Sequence, residues 1–240
     1  MTVSSARSNK AAKAHGNMGR TFRHALLGSS ALVGLALANP AAAQTFVPAG
    51  GTLEVTAGQT ISNPNGGAIS AGAGSTVTVR AGGRVEAGGN GITYDSGTLV
   101  NEGTVVAAGT AAYFFGSGNV INAGSIISNG SAGIRFIAGG TLTNTGTIST
   151  PSFGILNQGG ALTLTNYGTM TTTTGNMNAP IYNQFAGMTL NLMAGSVVSN
   201  ATSFAAGIES TVAGSTITLH TGVGSTDPGV SINGSPYVAP

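Results

Sequence analysis

The chain has no cysteine and no tryptophan, and charged residues fill 6% of its 240 positions. Without cysteine there is no disulfide framework of the kind that holds many small exported domains together, so stability has to come from packing. Cysteine-rich zinc sites are excluded on the same ground, and the histidines have no ligand spacing. Long glycine-free stretches are also scarce beyond the first 40 residues, which argues against helices, because glycine weakens a helix interior. Glycine itself is abundant, with 40 residues. Disorder would suit such a composition, but Val, Ile and Leu recur in short alternating runs at a regular step, which is what a buried β surface requires.

Charge is unevenly placed. Arg7, Lys10, Lys13, Arg20 and Arg23 precede residue 24 with no acid among them. Beyond residue 43 only Arg80, Arg84 and Arg135 face Glu54, Glu86, Asp95, Glu102, Glu209 and Asp227, a net of −3. The basic balance therefore belongs to the leader, and the remainder lacks the cationic cluster that nucleic acid binding needs.

That leader reads as a secretory signal peptide over residues 1–43. A long basic region is followed by an apolar stretch from Ala25 to Ala38, then Asn39-Pro-Ala-Ala-Ala43. Basic flank, short apolar run and an Ala-x-Ala end is the order such peptides take. Fourteen small or apolar residues fall short of the roughly 20 that span a bilayer. Cleavage is expected between Ala43 and Gln44.

Beyond the leader the chain is repetitive. Asn119–Ser128, Thr141–Ser149 and Leu162–Thr171 are near copies of one phrase, with Asn-x-Gly cores at Asn122, Asn144 and Asn166, a step of 22 residues. A fixed step of that size is the mark of a solenoid. Carried outward, the phrase gives three aliphatic columns. One holds Ile61, Val85, Val105, Ile126, Ile148, Met170, Val197 and Val223. A second holds Val77, Leu99, Val120, Leu142, Leu164, Leu190 and Ile217. The third begins each unit with Ile69, Ile92, Tyr113, Ile134, Ile155, Ile181 and Ile208. Three short runs per unit, bounded by Gly, Asn or Ser, read as three strands and three turns. The expected fold is all-β: a right-handed three-sided parallel β-helix of about 7–8 coils over residues 44–229, with 230–240 as a tail or incomplete coil. Coils must stack, because one coil buries too little apolar surface to offset its ordering entropy.

Asn101, Asn122, Asn144 and Asn166 each lie two residues before a glycine, Gly103, Gly124, Gly146 and Gly168. We read this as a structural corner ladder: Asn tolerates left-handed backbone, Gly permits positive φ beside it, and stacked amides can align. A ligand-binding row of Asn is the functional alternative. Thr104, Ser125, Thr147, Thr169 and Ser196 form an outward hydroxyl column. Its neighbours Val106, Ile127, Ser149 and Thr171 vary, so the paired ranks of an ice-binding face are incomplete there. After Thr171 the step lengthens; Met193 and His220 take the place of Asn, and Asp227-Pro228-Gly229 signals a turn.

No catalytic constellation is legible. The six acids fall on different coils and corners, no glycine-rich run is followed by the Lys of a phosphate loop, and no serine turn has a histidine partner. No cofactor, metal or enzymatic activity is expected. Tyr94, Tyr113, Phe114, Phe115 and Phe136 form an aromatic cluster, read as core with a sugar-stacking surface as its alternative.

The leader ending in Asn39-Pro-Ala-Ala-Ala43 and repeats such as Gly140–Ile148 resemble the passenger region of bacterial type V autotransporters. The resemblance runs over about residues 20–229 and implies an adhesin-like structural protein without catalysis. It also implies export through the inner membrane and passage to the cell surface or medium through an outer-membrane β-barrel, with a periplasmic location if no barrel is supplied. The succession of amphipathic strands that forms such a barrel is not found at the end of this sequence, so either a truncated or split passenger or secretion by another route is expected. The ligand is not legible. A carbohydrate-active β-helix enzyme is the alternative, and an ice-binding solenoid a further one.

Overall fold

The computed structural model describes residues 43–174, 179–184, 187–200, 207–210, 216–219, 230–232 and 235–237. The leader, His220, Val223 and the 227–229 turn lie outside the described residues. No helix occurs among those described, and none there is long and apolar enough to cross a membrane.

The described chain winds through three parallel sheets in strict rotation, the three-sided solenoid that the 22-residue step predicts. Sheet A stacks Thr45–Val47, Ile69–Ala71, Ile92–Tyr94, Ala112–Phe114, Ala132–Phe136, Phe153–Asn157, Ile181–Asn183 and Ile208–Ser210. Sheet B stacks Thr52–Val55, Ser75–Val79, Gly97–Asn101, Gly118–Asn122, Gly140–Asn144, Leu162–Asn166, Met188–Leu192 and Thr216–Leu219. Sheet C stacks Thr60–Asn63, Arg84–Ala87, Thr104–Ala107, Ser125–Ser128, Thr147–Thr150, Thr169–Thr172, Val197–Asn200 and Val230–Ile232. A ninth strand of sheet C, Ser235–Tyr237, returns antiparallel on Val230–Ile232. The segment expected as a tail or incomplete coil supplies a hairpin whose first strand extends sheet C, with Ile232 following Val198 in register.

Strand side chains alternate in and out with period two, so a register error of one residue exchanges the two faces. Three such shifts separate the structure from the sequence expectation, and in one of them Leu192, not Met193, takes the buried rung after Asn166. In another, Ala112, not Tyr113, pairs with Ile92 and Ile134 and is buried. The reason is aromatic. With Ala112 inward, Phe114 also faces in and stacks at 4.4 Å on Tyr94 and at 5.3 Å on Phe136. The three rings are fully buried, and offset stacks of this kind add to plain apolar burial. Tyr113 and Phe115 are left outside.

The third shift falls at Val197 and Val198. Val198 pairs with Met170 and is buried, whereas Val197 pairs with Thr169 and is partly exposed. Ser196 consequently leaves the outward hydroxyl column. It is buried, its Oγ has no hydrogen-bond partner, and Val197 ends that column instead. The remaining columns run as read. Val77, Leu99, Val120, Leu142, Leu164 and Leu190 are each buried and paired in order.

Candidate functional site

The four repeat asparagines end successive strands of sheet B, immediately before the corner into sheet C. Each is fully buried. Asn101 Nδ2 donates to Asn122 Oδ1, Asn122 to Asn144 and Asn144 to Asn166, each at 2.7 Å. Each Nδ2 also reaches a carbonyl near the corner: Ser125 O at 3.2 Å, Thr147 O at 3.3 Å, Gly146 O at 3.3 Å and Gly168 O at 3.1 Å. The row is closed to solvent and so cannot receive a ligand. Its work is internal: buried polar groups need partners, and here each amide supplies the next.

Gly103, Gly124, Gly146 and Gly168 are needed for a reason other than the one expected. None has a positive φ. A Cβ on Gly124 would collide with Gly103 O, one on Gly146 with Gly124 O and one on Gly168 with Gly146 O; Gly103 meets Arg80 O and Gly83 O. The corners of neighbouring coils approach so closely that only a hydrogen fits. This is the close backbone approach that glycine also serves.

A second ladder, which the 22-residue step does not reveal, lies inside sheet A. Asn157 Nδ2 donates to Asn183 Oδ1 at 2.7 Å and to Gly160 O at 3.1 Å. On the outside of the same coils Gln158 Nε2 donates to Gln184 Oε1 at 2.9 Å.

Among the described residues the interior is filled, and the solvent-facing chemistry lies on the outer faces of the sheets. The outward row of sheet B reads Thr52, Thr76, Thr98, Asn119, Thr141, Thr163 and Thr189 in unbroken register. The parallel row reads Glu54, Thr78, Val100, Ile121, Thr143, Thr165 and Asn191. Thr141 Oγ1 donates to Asn119 Oδ1 at 2.6 Å, holding two members of the first row together. This column is more regular than the Thr104–Thr169 column of sheet C, where Ser125 and Thr147 hydroxyls meet at 3.2 Å.

Sheet A carries a different exterior. Its outward row runs Phe46, Ser70, Thr93, Tyr113, Arg135, Leu156, Tyr182 and Glu209. Tyr113 and Phe115 sit with ring centroids 4.4 Å apart. The Arg135 guanidinium lies 4.9 Å from the centre of the Tyr113 ring, and Arg135 Nε donates to Gln158 Oε1 at 2.6 Å. Phe153 and Tyr182 stack at 5.0 Å. The aromatic cluster read from sequence therefore divides: Tyr94, Phe114 and Phe136 are core, and Tyr113 and Phe115 belong to the surface.

Charged groups meet at one corner. Arg80 Nε pairs with Glu54 Oε1 at 2.5 Å and its Nη1 lies 3.5 Å from Glu102 Oε1, so acids 48 positions apart share one cation. The Glu54 hydrogen bond and charge raise the Arg80 pKa above its ordinary value, with Glu102 adding to this. Arg84 pairs with Glu86 on the same strand. Among the described residues Asp95 takes no part in an ion pair, and no group of three acids or histidines suited to a metal occurs. Ala43 and Gln44 are exposed and directly precede the first strand. Comparison with protein-family models, with curated proteins and with solved structures gives no match.

Proposed function

We propose that the chain is an exported, non-catalytic β-helical rod of adhesin-like type, displayed at the cell surface or secreted, like the passenger of an autotransporter. The carrying observation is the join between leader and rod. A basic flank, an apolar run and an Ala-x-Ala end lead to Ala43 and Gln44, which are exposed just ahead of Thr45–Val47. A processing enzyme cutting there would release the rod one residue before its first strand. Export machinery and an outer-membrane β-barrel supplied by another segment or chain are the partners this reading requires. The pairing of Glu54 and Glu102 with a single Arg80 supports a structural use of those acids, in contrast to the carbohydrate-active alternative. The test is the mature N-terminus in a Gram-negative host. Gln44 at the terminus, in protein recovered outside the inner membrane, is expected. An intact Met1 in the cytoplasm would overturn the reading.

The outward threonine row of sheet B favours ice binding as a second reading. Rungs repeat every ~4.8 Å and alternate residues along a strand lie about 6.6 Å apart. A tetrahedral water lattice with hydrogen bonds of about 2.75 Å has second neighbours at about 4.5 Å and a layer repeat of about 7.3 Å. The misfit of ~0.3 Å per rung reaches ~1 Å over about four rungs, so only a short block can register at once. Along sheet B, complete Thr pairs occur on adjacent rungs at Thr141 and Thr143 with Thr163 and Thr165; Val100 and Ile121 interrupt the second row before them. Thermal hysteresis of the purified rod, lost in Thr141→Tyr with Thr163→Tyr, decides this reading; its absence in the unmodified rod removes it.

A further inference from the structure

The outer face of sheet A sets the exposed Phe115 and the half-buried Tyr113, Phe153 and Tyr182 beside a cation with no carboxylate partner among the described residues. Among the described arginines, Arg80 and Arg84 are each in ion pairs, while the Arg135 side chain is held by a neutral amide and a ring. The described rod beyond the leader is acidic overall, so a cation left without an acid here is chemically conspicuous. Its position is fixed from two sides. The Tyr113 ring lies against it, and the Gln158 carbonyl takes its Nε–H, with Gln158 in turn donating to Gln184 one coil further on. A guanidinium oriented in this way needs little ordering to accept a planar anion through its fork. Phe115 is 50% exposed and lies beside the Tyr113 ring, so apolar surface open to solvent adjoins the cation. Tyr113 and Tyr182 stand on either side of Arg135 in the outward row, three rungs apart, or ~14 Å.

We propose that this face binds an acidic oligosaccharide, with Arg135 holding a uronic acid carboxylate and the Tyr113–Phe115 and Phe153–Tyr182 rings lying against neighbouring sugars. The exposed Phe115 ring and the outer edges of the paired rings give sugar C–H groups an apolar surface, and the cation selects the charged unit. A nucleic acid strand, with a phosphate at each unit, would call for a line of cations, and this row has one followed by Glu209. The inference deepens the adhesive reading, on which its biological meaning rests, by giving that rod a ligand class.

The test is titration of the purified, processed rod with a short mannuronate oligomer, its methyl-esterified form and a sulfated dextran oligomer, followed by calorimetry. Binding of the free carboxylate form, with the ester at least roughly tenfold weaker, is expected from the loss of a charge-assisted pair. Arg135→Gln should weaken binding by roughly tenfold or more, Arg135→Lys by less, and Tyr113→Ala should weaken it several-fold. Thr163→Ala on sheet B should leave it unchanged. Circular dichroism confirms that each variant keeps its β signal, and the Lys variant carries the test if Arg135→Gln fails to fold. Equal affinity for ester and acid, preference for sulfate, full binding by Arg135→Gln, or no binding by the folded rod would each overturn the inference. A rod that is exported but binds no uronate defeats this inference alone; one that binds uronate but is never exported defeats the display reading alone.

Discussion

The two amide ladders inside the rod are built on one plan and differ in length. Among the described contacts the ladder in sheet B runs through Asn101, Asn122, Asn144 and Asn166, and the one in sheet A joins Asn157 to Asn183. Both begin with an acceptor that has no partner, Asn101 Oδ1 in one and Asn157 Oδ1 in the other. In each case the preceding rung of the column is apolar, Val79 or Phe136. The penalty of an unsatisfied buried acceptor, about 1–3 kcal/mol, thus arises once per ladder and not once per rung. A long ladder spreads it over more coils.

Cutting the long ladder in the middle is the harshest test. Asn122→Leu leaves Asn144 Oδ1 without its donor and removes one acceptor from Asn101 Nδ2. We expect a loss of about 3 kcal/mol in urea unfolding. Replacing all four asparagines with Leu or Val together should cost less per site, because no buried amide is then left without its partner and each corner carbonyl loses one accepted bond. If the single cut proves harmless, or the fourfold replacement worse per site than the single, amide continuity does not stabilise the rod. Next in size is the corner. Gly146→Ala sets a Cβ against Gly124 O and should cost about 2 kcal/mol by overpacking, whereas Gly50→Ala, at φ 67° with open space around it, should cost about 1 kcal/mol through backbone strain alone. Equal losses would show that close approach adds nothing to conformational preference.

Asn183→Leu takes one hydrogen bond from Asn157, which keeps its bond to Gly160 O. Its expected effect, about 1–2 kcal/mol, is smaller than that of the mid-ladder cut, and the same urea titration measures both. Tyr94→Phe should have the smallest effect at neutral pH, since the Tyr94 hydroxyl gives only a 3.3 Å bond to Thr98 O. Burial raises the Tyr94 pKa well above its ordinary value. The folded state therefore keeps the proton while the unfolded chain begins to lose it near pH 10. Stability is fully present below that point and falls as pH climbs from there towards the folded value. Tyr94→Phe should flatten this alkaline decline; an unchanged slope would place its origin elsewhere.

Much of the fold is legible because stacking imposes a fixed step on the sequence. Asn122, Asn144 and Asn166 repeat every 22 residues since each must meet the same atom one coil on. Legibility fails where neighbouring residues compete for the inside. Ala112 and Tyr113, or Val197 and Val198, satisfy a hydrophobic pattern equally well, and only the stacking of Phe114 on Tyr94 or the burial of Val198 selects the register. The Asn157–Asn183 ladder escapes notice because its step is 26 residues, lengthened by the segment before Ala179. Surface groupings are harder still. Arg80 with Glu54 and Glu102, or Arg135 with Tyr113 and Gln158, join residues from successive coils whose spacing in sequence carries no chemical pattern of its own. The threonine row of sheet B is obscured for a related reason: Asn119 interrupts it within one of the three copies that define the repeat.

The amide ladders also give the rod a polarity. Every ladder Nδ2 that meets another Asn points to the next coil along the chain, so the side-chain dipoles lie head to tail along the axis. A coil already in place offers an oriented, buried donor to the coil arriving next, and each new amide, once bonded, polarises those behind it. Growth from the N-terminal side always meets a waiting N–H; growth from the other side meets a carbonyl. A chain emerging from a ribosome or a membrane pore in one direction would therefore find its own template already facing the right way.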